Sequence, residues 1–112
     1  MDFCKPYACV VGGANIDIQG FPKGSLVLRD SNVGTVRTSL GGVGRNIAEN
    51  LVRLGVPTTL ISVVGEDVNG RRLLEEANRV GLDTRHVGVL PGEATANYLS
   101  VLDDQGDMLV AI

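Results

Sequence analysis

Apolar positions along the chain recur at two spacings, and these predict alternating strands and helices. Ala8-Cys9-Val10-Val11 is a continuous apolar run ending at Gly12-Gly13, as expected of a strand buried on both faces; Cys9 is then a small buried residue. Ala14-Asn15-Ile16-Asp17-Ile18 alternates strictly, which sets Asn15 and Asp17 on the face opposite Ala14, Ile16 and Ile18. Residues 20–34 have loop composition, with Pro22, Gly24, Asp30, Ser31 and Asn32, and Leu26-Val27-Leu28 predicts a short strand among them. Val33 to Leu40 alternates imperfectly and predicts a strand exposed on one side. These pieces predict a small antiparallel flap beside a main sheet. Ile47, Ala48, Leu51 and Leu54 share one helix face, and Gly55 and Pro57 stop that helix. Thr58 to Gly65 is a second buried strand. Leu73, Leu74, Ala77 and Val80 form the apolar stripe of a second helix, with Asp67 as its N-cap and Gly81 at its end. A third strand falls within 85–90. Residues 96–102 and 107–112 flank Asp103-Asp104-Gln105-Gly106 and predict a β-hairpin. Strands alternating with helices indicate an α/β fold with a parallel sheet. The chain stops at Ile112 inside an apolar strand, which predicts the front part of a larger domain.

Length and charge narrow the function classes. At 112 residues there is room for one domain at most. With 44% hydrophobic residues and a net charge of −3, the chain is expected to be globular. The absence of a basic cluster argues against nucleic acid as a partner. No apolar run approaches the roughly 20 residues that span a membrane. Met1-Asp2-Phe3-Cys4-Lys5-Pro6 lacks a long apolar core after a positive start, so no secretory signal and a cytoplasmic location are expected. Cys4 and Cys9 are then expected to be reduced, and with His86 they cannot complete a four-ligand zinc site unless a carboxylate joins them. His86 reads as a solvated surface residue. The aspartates at 103, 104 and 107 lack EF-hand spacing and read as a solvated turn. No metal site is expected.

The candidate chemistry lies in Gly41-Gly42-Val43-Gly44-Arg45-Asn46. Three glycines in four residues demand a sharp bend or a very close approach to main chain. A bend feeding a helix start offers backbone N–H groups with a favourable dipole, suited to hydroxyls or an anion. Asn46, in the first turn, adds a group that both donates and accepts. Asn15 and Asp17, leaving the end of a buried strand, add an amide and a carboxylate.

Gly41-Gly42-Val43-Gly44-Arg45-Asn46-Ile47-Ala48, with Gly55, Gly65 and Val11-Gly12-Gly13-Ala14-Asn15-Ile16-Asp17, resembles the ribokinase-like sugar kinases, the PfkB carbohydrate kinase family. Within it, Gly-Gly-Val-Gly-Arg-Asn-Ile-Ala-Glu-Asn looks most like pseudouridine kinases. The resemblance covers residues 1–112. It implies a ribokinase-like α/β core, a Rossmann-like parallel sheet with helices, plus a small β lid made by segments near 20–40 and 94–112. It further implies transfer of the ATP γ-phosphate to a sugar or nucleoside hydroxyl with Mg2+. By motif position Asn15, Asp17, Gly41, Gly42 and Asn46 would bind the substrate. Ribokinases proper often carry lysine where Val43 stands, which points away from ribose itself. The family's Asp-Thr-x-Gly-Ala-Gly-Asp segment, source of the anion hole and catalytic aspartate, is not found in these 112 residues. The expectation is an incomplete domain that has no catalytic residue of its own, binds neither ATP nor Mg2+ tightly, and is inactive alone. Two other readings stand beside it. Gly42-x-Gly44 before a helix, with Glu66 and Asp67 after the next strand, is similar to a dinucleotide-binding fingerprint, although Ile47 occupies its third glycine position. A non-catalytic sugar-binding module, homodimeric through its lid strands, is the other.

Overall fold

The computed structural model describes residues 5–112, so Cys4 lies outside the described residues. The elements in chain order are β1 (Ala8–Val11), β2 (Asn15–Pro22), β3 (Gly34–Gly41), α1 (Val43–Arg53), β4 (Thr58–Gly65), α2 (Val68–Arg79), β5 (Val87–Leu90), β6 (Asn97–Leu102) and β7 (Met108–Ala111). They form two compact units. One holds the residues up to Asn15 together with Gly41–Ala96, and the other holds Ile16–Leu40 and Asn97–Ile112.

The first unit is built on a parallel three-stranded sheet in the order β1-β4-β5. Its register pairs Val10 with Leu60, Val11 with Ile61, and Val64 with Val89. One face of this sheet is covered. Ala48 of α1 and Ala77 of α2 are buried with Leu60 and Leu82, and Val10, Val52, Val80 and Val87 pack around them. Small residues on the helices let them approach the apolar sheet surface closely. The opposite face is bare among the described residues, with Val11 75% and Val63 50% exposed. Cys9 belongs to that face and is exposed, not buried as its apolar run predicted. The run shows that both faces are apolar, but only one has a layer over it.

Helix α1 begins earlier than its apolar spacing predicts, inside the glycine cluster. Its buried residues are Gly44, Arg45 and Ala48, whereas Ile47 and Leu54 are exposed. Gly44 sets this rotation: a Cβ there would stand 2.6 Å from Gly12 Cα, so only glycine lets the helix meet the turn after β1. The row Gly44–Ala48–Val52 therefore faces inward. The helix stops as expected at Gly55, whose φ is +85°, with Gly55 N donating to Val52 O at 2.9 Å. Helix α2 is capped as expected, because Asp67 Oδ1 accepts from Gly70 N at 2.7 Å.

The second unit is a four-stranded sheet in the order β3-β2-β6-β7. It is mixed, whereas the sequence predicted an antiparallel flap. β2 and β6 run parallel, with Ile16 opposite Asn97 and Ile18 opposite Leu99, while β6 and β7 are antiparallel. Local alternation reveals no partner; the parallel pair joins strands between which the chain makes all of Gly41–Ala96. Ile16 is 1% exposed, and Ser100 and Leu102 are also buried. The strand predicted at Leu26-Val27-Leu28 is absent. Asn32 occupies its backbone instead: Val27 N donates to Asn32 Oδ1 at 2.8 Å and Asn32 Nδ2 donates to Val27 O at 2.9 Å. The hairpin turn forms as predicted. Asp103 Oδ1 accepts from Gln105 N and Asp107 N, both at 2.9 Å.

Candidate functional site

The glycine bend is a contact surface between main chains. Gly42 has φ +97°, the left-handed region that disfavours any side chain, and a Cβ there would fall 2.7 Å from Ala14 Cα. Gly42 is the N-cap of α1, and no side chain caps that end. Arg45 N donates instead to Gly13 O at 3.1 Å, and Asn46 N to Gly42 O at 2.9 Å. The turn after β1 and the start of α1 are thus fastened together by bare backbone. Two glycine pairs, Gly12 with Gly44 and Gly13 with Gly42, make the approach.

Four of the five predicted site residues belong to this unit. Gly41 and Gly42 form the bend, and Asn46 follows one turn into α1 with its side chain exposed. Asn15 is half-buried and comes directly after the Gly13–Ala14 segment that Gly42 abuts. Asp17 lies two residues further along β2, in the second unit, half-buried and in register with Tyr98 of β6. Asn15 and Asp17 flank the buried Ile16, as alternation predicted.

Sequence reasoning passed over Arg45. It is 8% exposed and joins three parts of the bend. Its Nε donates to Gly41 O at 3.2 Å, its Nη2 to Asn46 Oδ1 at 2.6 Å, and its Nη1 to Glu49 Oε2. Glu49 also accepts from Arg53 through Oε1 at 2.8 Å. The Arg53 and Arg45 guanidiniums hold the Glu49 carboxyl below its usual range against a partial desolvation. An arginine four residues before a glutamate was the available signal.

A second polar node gathers at the start of α2. Thr95 is 2% exposed, accepts from Gly65 N at 3.0 Å, and donates its hydroxyl to Asp67 at 2.6 Å. Glu66, Asp67, Gly70 and Arg71 beside it line a shallow cavity of about 220 Å³. His86 is exposed, as expected of a solvated residue. No helix among the described residues is long and apolar enough to cross a membrane.

Comparison with known proteins decides the family. Residues 5–112 match the pfkB family carbohydrate kinases. The chain belongs to that family. It is 47% identical over 108 residues to a pseudouridine kinase of Escherichia coli, covering 96% of this chain and 34% of that protein. A carbohydrate kinase structure from Agrobacterium tumefaciens superposes with TM-score 0.81 at 30% identity, over 95% of this chain and 34% of that one. A ribokinase structure from Arabidopsis thaliana, complexed with ribose and ATP, gives TM-score 0.81 at 28% identity, over 96% and 35%. The fold is ribokinase-like, a parallel sheet with helices accompanied by a small mixed sheet. The chain spans about a third of the length of these relatives.

Proposed function

We propose that this chain is the substrate-binding part of an ATP-dependent kinase that phosphorylates a hydroxyl of a sugar or nucleoside, with pseudouridine as the leading substrate. The observation that carries this reading is the 47% identity to a pseudouridine kinase over 108 residues, a span that includes the whole glycine bend. In this reading Gly41 and Gly42 meet the substrate through main chain, Asn15 and Asn46 through amides, and Asp17 through its carboxylate. Such a set suits a polyol, because each hydroxyl both donates and accepts, and a ligand lacking one leaves a polar group unmatched. The segments near 20–40 and 94–112, which fall largely in the second unit, act as the lid that keeps water from the phosphoryl group.

Phosphoryl transfer also needs a positioned γ-phosphate, charge stabilisation and a base at the acceptor hydroxyl. The sequence holds no Asp-Thr-x-Gly-Ala-Gly-Asp segment. We assign ATP, Mg2+ and the catalytic aspartate that the family resemblance implies to family sequence outside these 112 residues. A coupled ADP-release assay on the 112-residue polypeptide with pseudouridine and ribose tests this assignment. The expected result is no turnover, with pseudouridine contact seen by saturation-transfer NMR and weakened in N46A and D17A. Turnover, or binding indifferent to both substitutions, refutes it.

A homodimer through the lid strands has one observation in its favour. Val36 on β3 and Met108 and Val110 on β7 are more than half exposed, and these strands are the outer two of their sheet. Sedimentation equilibrium that finds only monomer at high concentration removes this reading.

A further inference from the structure

Arg45 stands where an arginine is electrostatically disfavoured. It is the third residue of α1, next to the positive end of the helix dipole. It is also buried, which is costly for a guanidinium unless its N–H groups are matched. Here they are matched by Gly41 O, Glu49 and Asn46 Oδ1. Glu49, on the next turn of the same face, supplies the compensating charge, and Arg53 holds Glu49 in turn.

The consequence falls on Asn46. A guanidinium has five N–H donors and no acceptor. The end of the Asn46 amide that meets it at 2.6 Å is therefore oxygen, since the flipped amide would set N–H against a cation. The amide nitrogen then faces away from Arg45, and no described residue accepts from it. The side chain is exposed, so that nitrogen is open to a ligand.

We propose that Arg45 is a positioning residue that locks the Asn46 amide with its nitrogen outward, so that Asn46 offers its ligand N–H and not oxygen. This rests on Asn46 being a substrate contact, as proposed above, and gives that contact a direction. The substrate group meeting Asn46 is an acceptor: a hydroxyl turned lone pair first, or a carbonyl oxygen of a base. An asparagine at this place without a neighbouring cation can turn either end to the ligand. Fixing the amide removes that freedom before binding, so less entropy is lost in the complex.

The test uses the protein expressed from its complete coding sequence, labelled with 15N-asparagine. In R45M, which keeps apolar bulk but no donor, the order parameter of the Asn46 side-chain amide should fall, and KM for pseudouridine should rise about two- to tenfold with kcat little changed. R45K, which can still donate to one acceptor, should be intermediate, and R72M should match wild type. If R45M does not fold, E49Q releases Arg45 from one side and should lower the same order parameter by less. An Asn46 amide equally rigid in R45K and E49Q, or in R45M, overturns the proposal. If the wild-type protein takes no sugar or nucleoside, the substrate reading above fails, and the order parameter alone decides the role of Arg45.

Discussion

Thr95 and Asp67 bind each other twice. The Thr95 hydroxyl donates to Asp67 Oδ1 at 2.6 Å and its backbone N–H donates to Oδ2 at 2.8 Å. Oδ1 also accepts from Gly70 N, so one carboxylate caps α2 and holds the segment that precedes β6. The same hydroxyl accepts from the buried Gly65 N–H. Replacing Thr95 by Val keeps its volume but strands that N–H, and the expected loss is about 1–3 kcal/mol. T95S keeps the hydroxyl and forfeits one methyl group, about 1 kcal/mol. Urea midpoints of the two variants check the order; equal losses count against the hydrogen-bond account.

The acid limb of stability should carry a signature of Asp67. The Thr95 hydroxyl, then the backbone N–H groups of Thr95 and Gly70, hold its carboxyl below the usual aspartate range. A group with a lowered folded pKa stabilises the fold above its unfolded value, about 3.9, and loses that contribution as pH falls through the folded value. Wild type should therefore exceed D67N in stability at neutral pH, with the gap narrowing below about pH 4. Denaturation at pH 7 and pH 3 measures it. A gap of the same size at both pH values contradicts the assignment.

The sequence made some of this legible and not the rest. Asp67 could be read as a cap because capping is local: an aspartate three residues before Gly70 at a helix start. Its partner Thr95 could not, since it lies 28 residues away and nothing in Glu93-Ala94-Thr95 marks a buried hydroxyl. The elements were found because periodicity is also local. The face that α1 buries was misread at Ile47 and Leu54, because hydrophobicity alone did not anticipate that Gly44 would set the contact. Asn15, Gly41, Gly42 and Asn46 were recognisable as a motif, whereas the guanidinium that orients Asn46 needed coordinates.

Gly42 and Gly55 separate crowding from backbone conformation. Both have positive φ, +97° and +85°. A methyl at Gly55 meets nothing within 4 Å, whereas one at Gly42 meets Ala14 Cα at 2.7 Å. G55A should cost about 1–2 kcal/mol for the left-handed backbone alone. G42A adds about 1–3 kcal/mol of overpacking and should also lower substrate affinity, since the bend must open to relieve it. Thermal denaturation with ligand titration distinguishes them; a G42A variant no worse than G55A removes the argument for close main-chain approach.

Cys9 reports on the bare sheet face. It is exposed beside Val11, Ile61 and Val63, an apolar surface of the kind that a further layer of protein normally covers. If the remainder of the family domain packs there, a thiol reagent should label Cys9 within seconds in the 112-residue polypeptide and far more slowly in the longer protein. A C4S background makes Cys9 the sole thiol of the 112-residue polypeptide, and peptide mapping reads labelling at Cys9 in the longer protein. The same face should bind ANS in the short polypeptide, and V63K should reduce that binding while leaving the covered face, with Leu60 and Ala48, intact. Equal labelling rates in the two proteins place the rest of the domain elsewhere, and with it the proposed source of the phosphorylating groups.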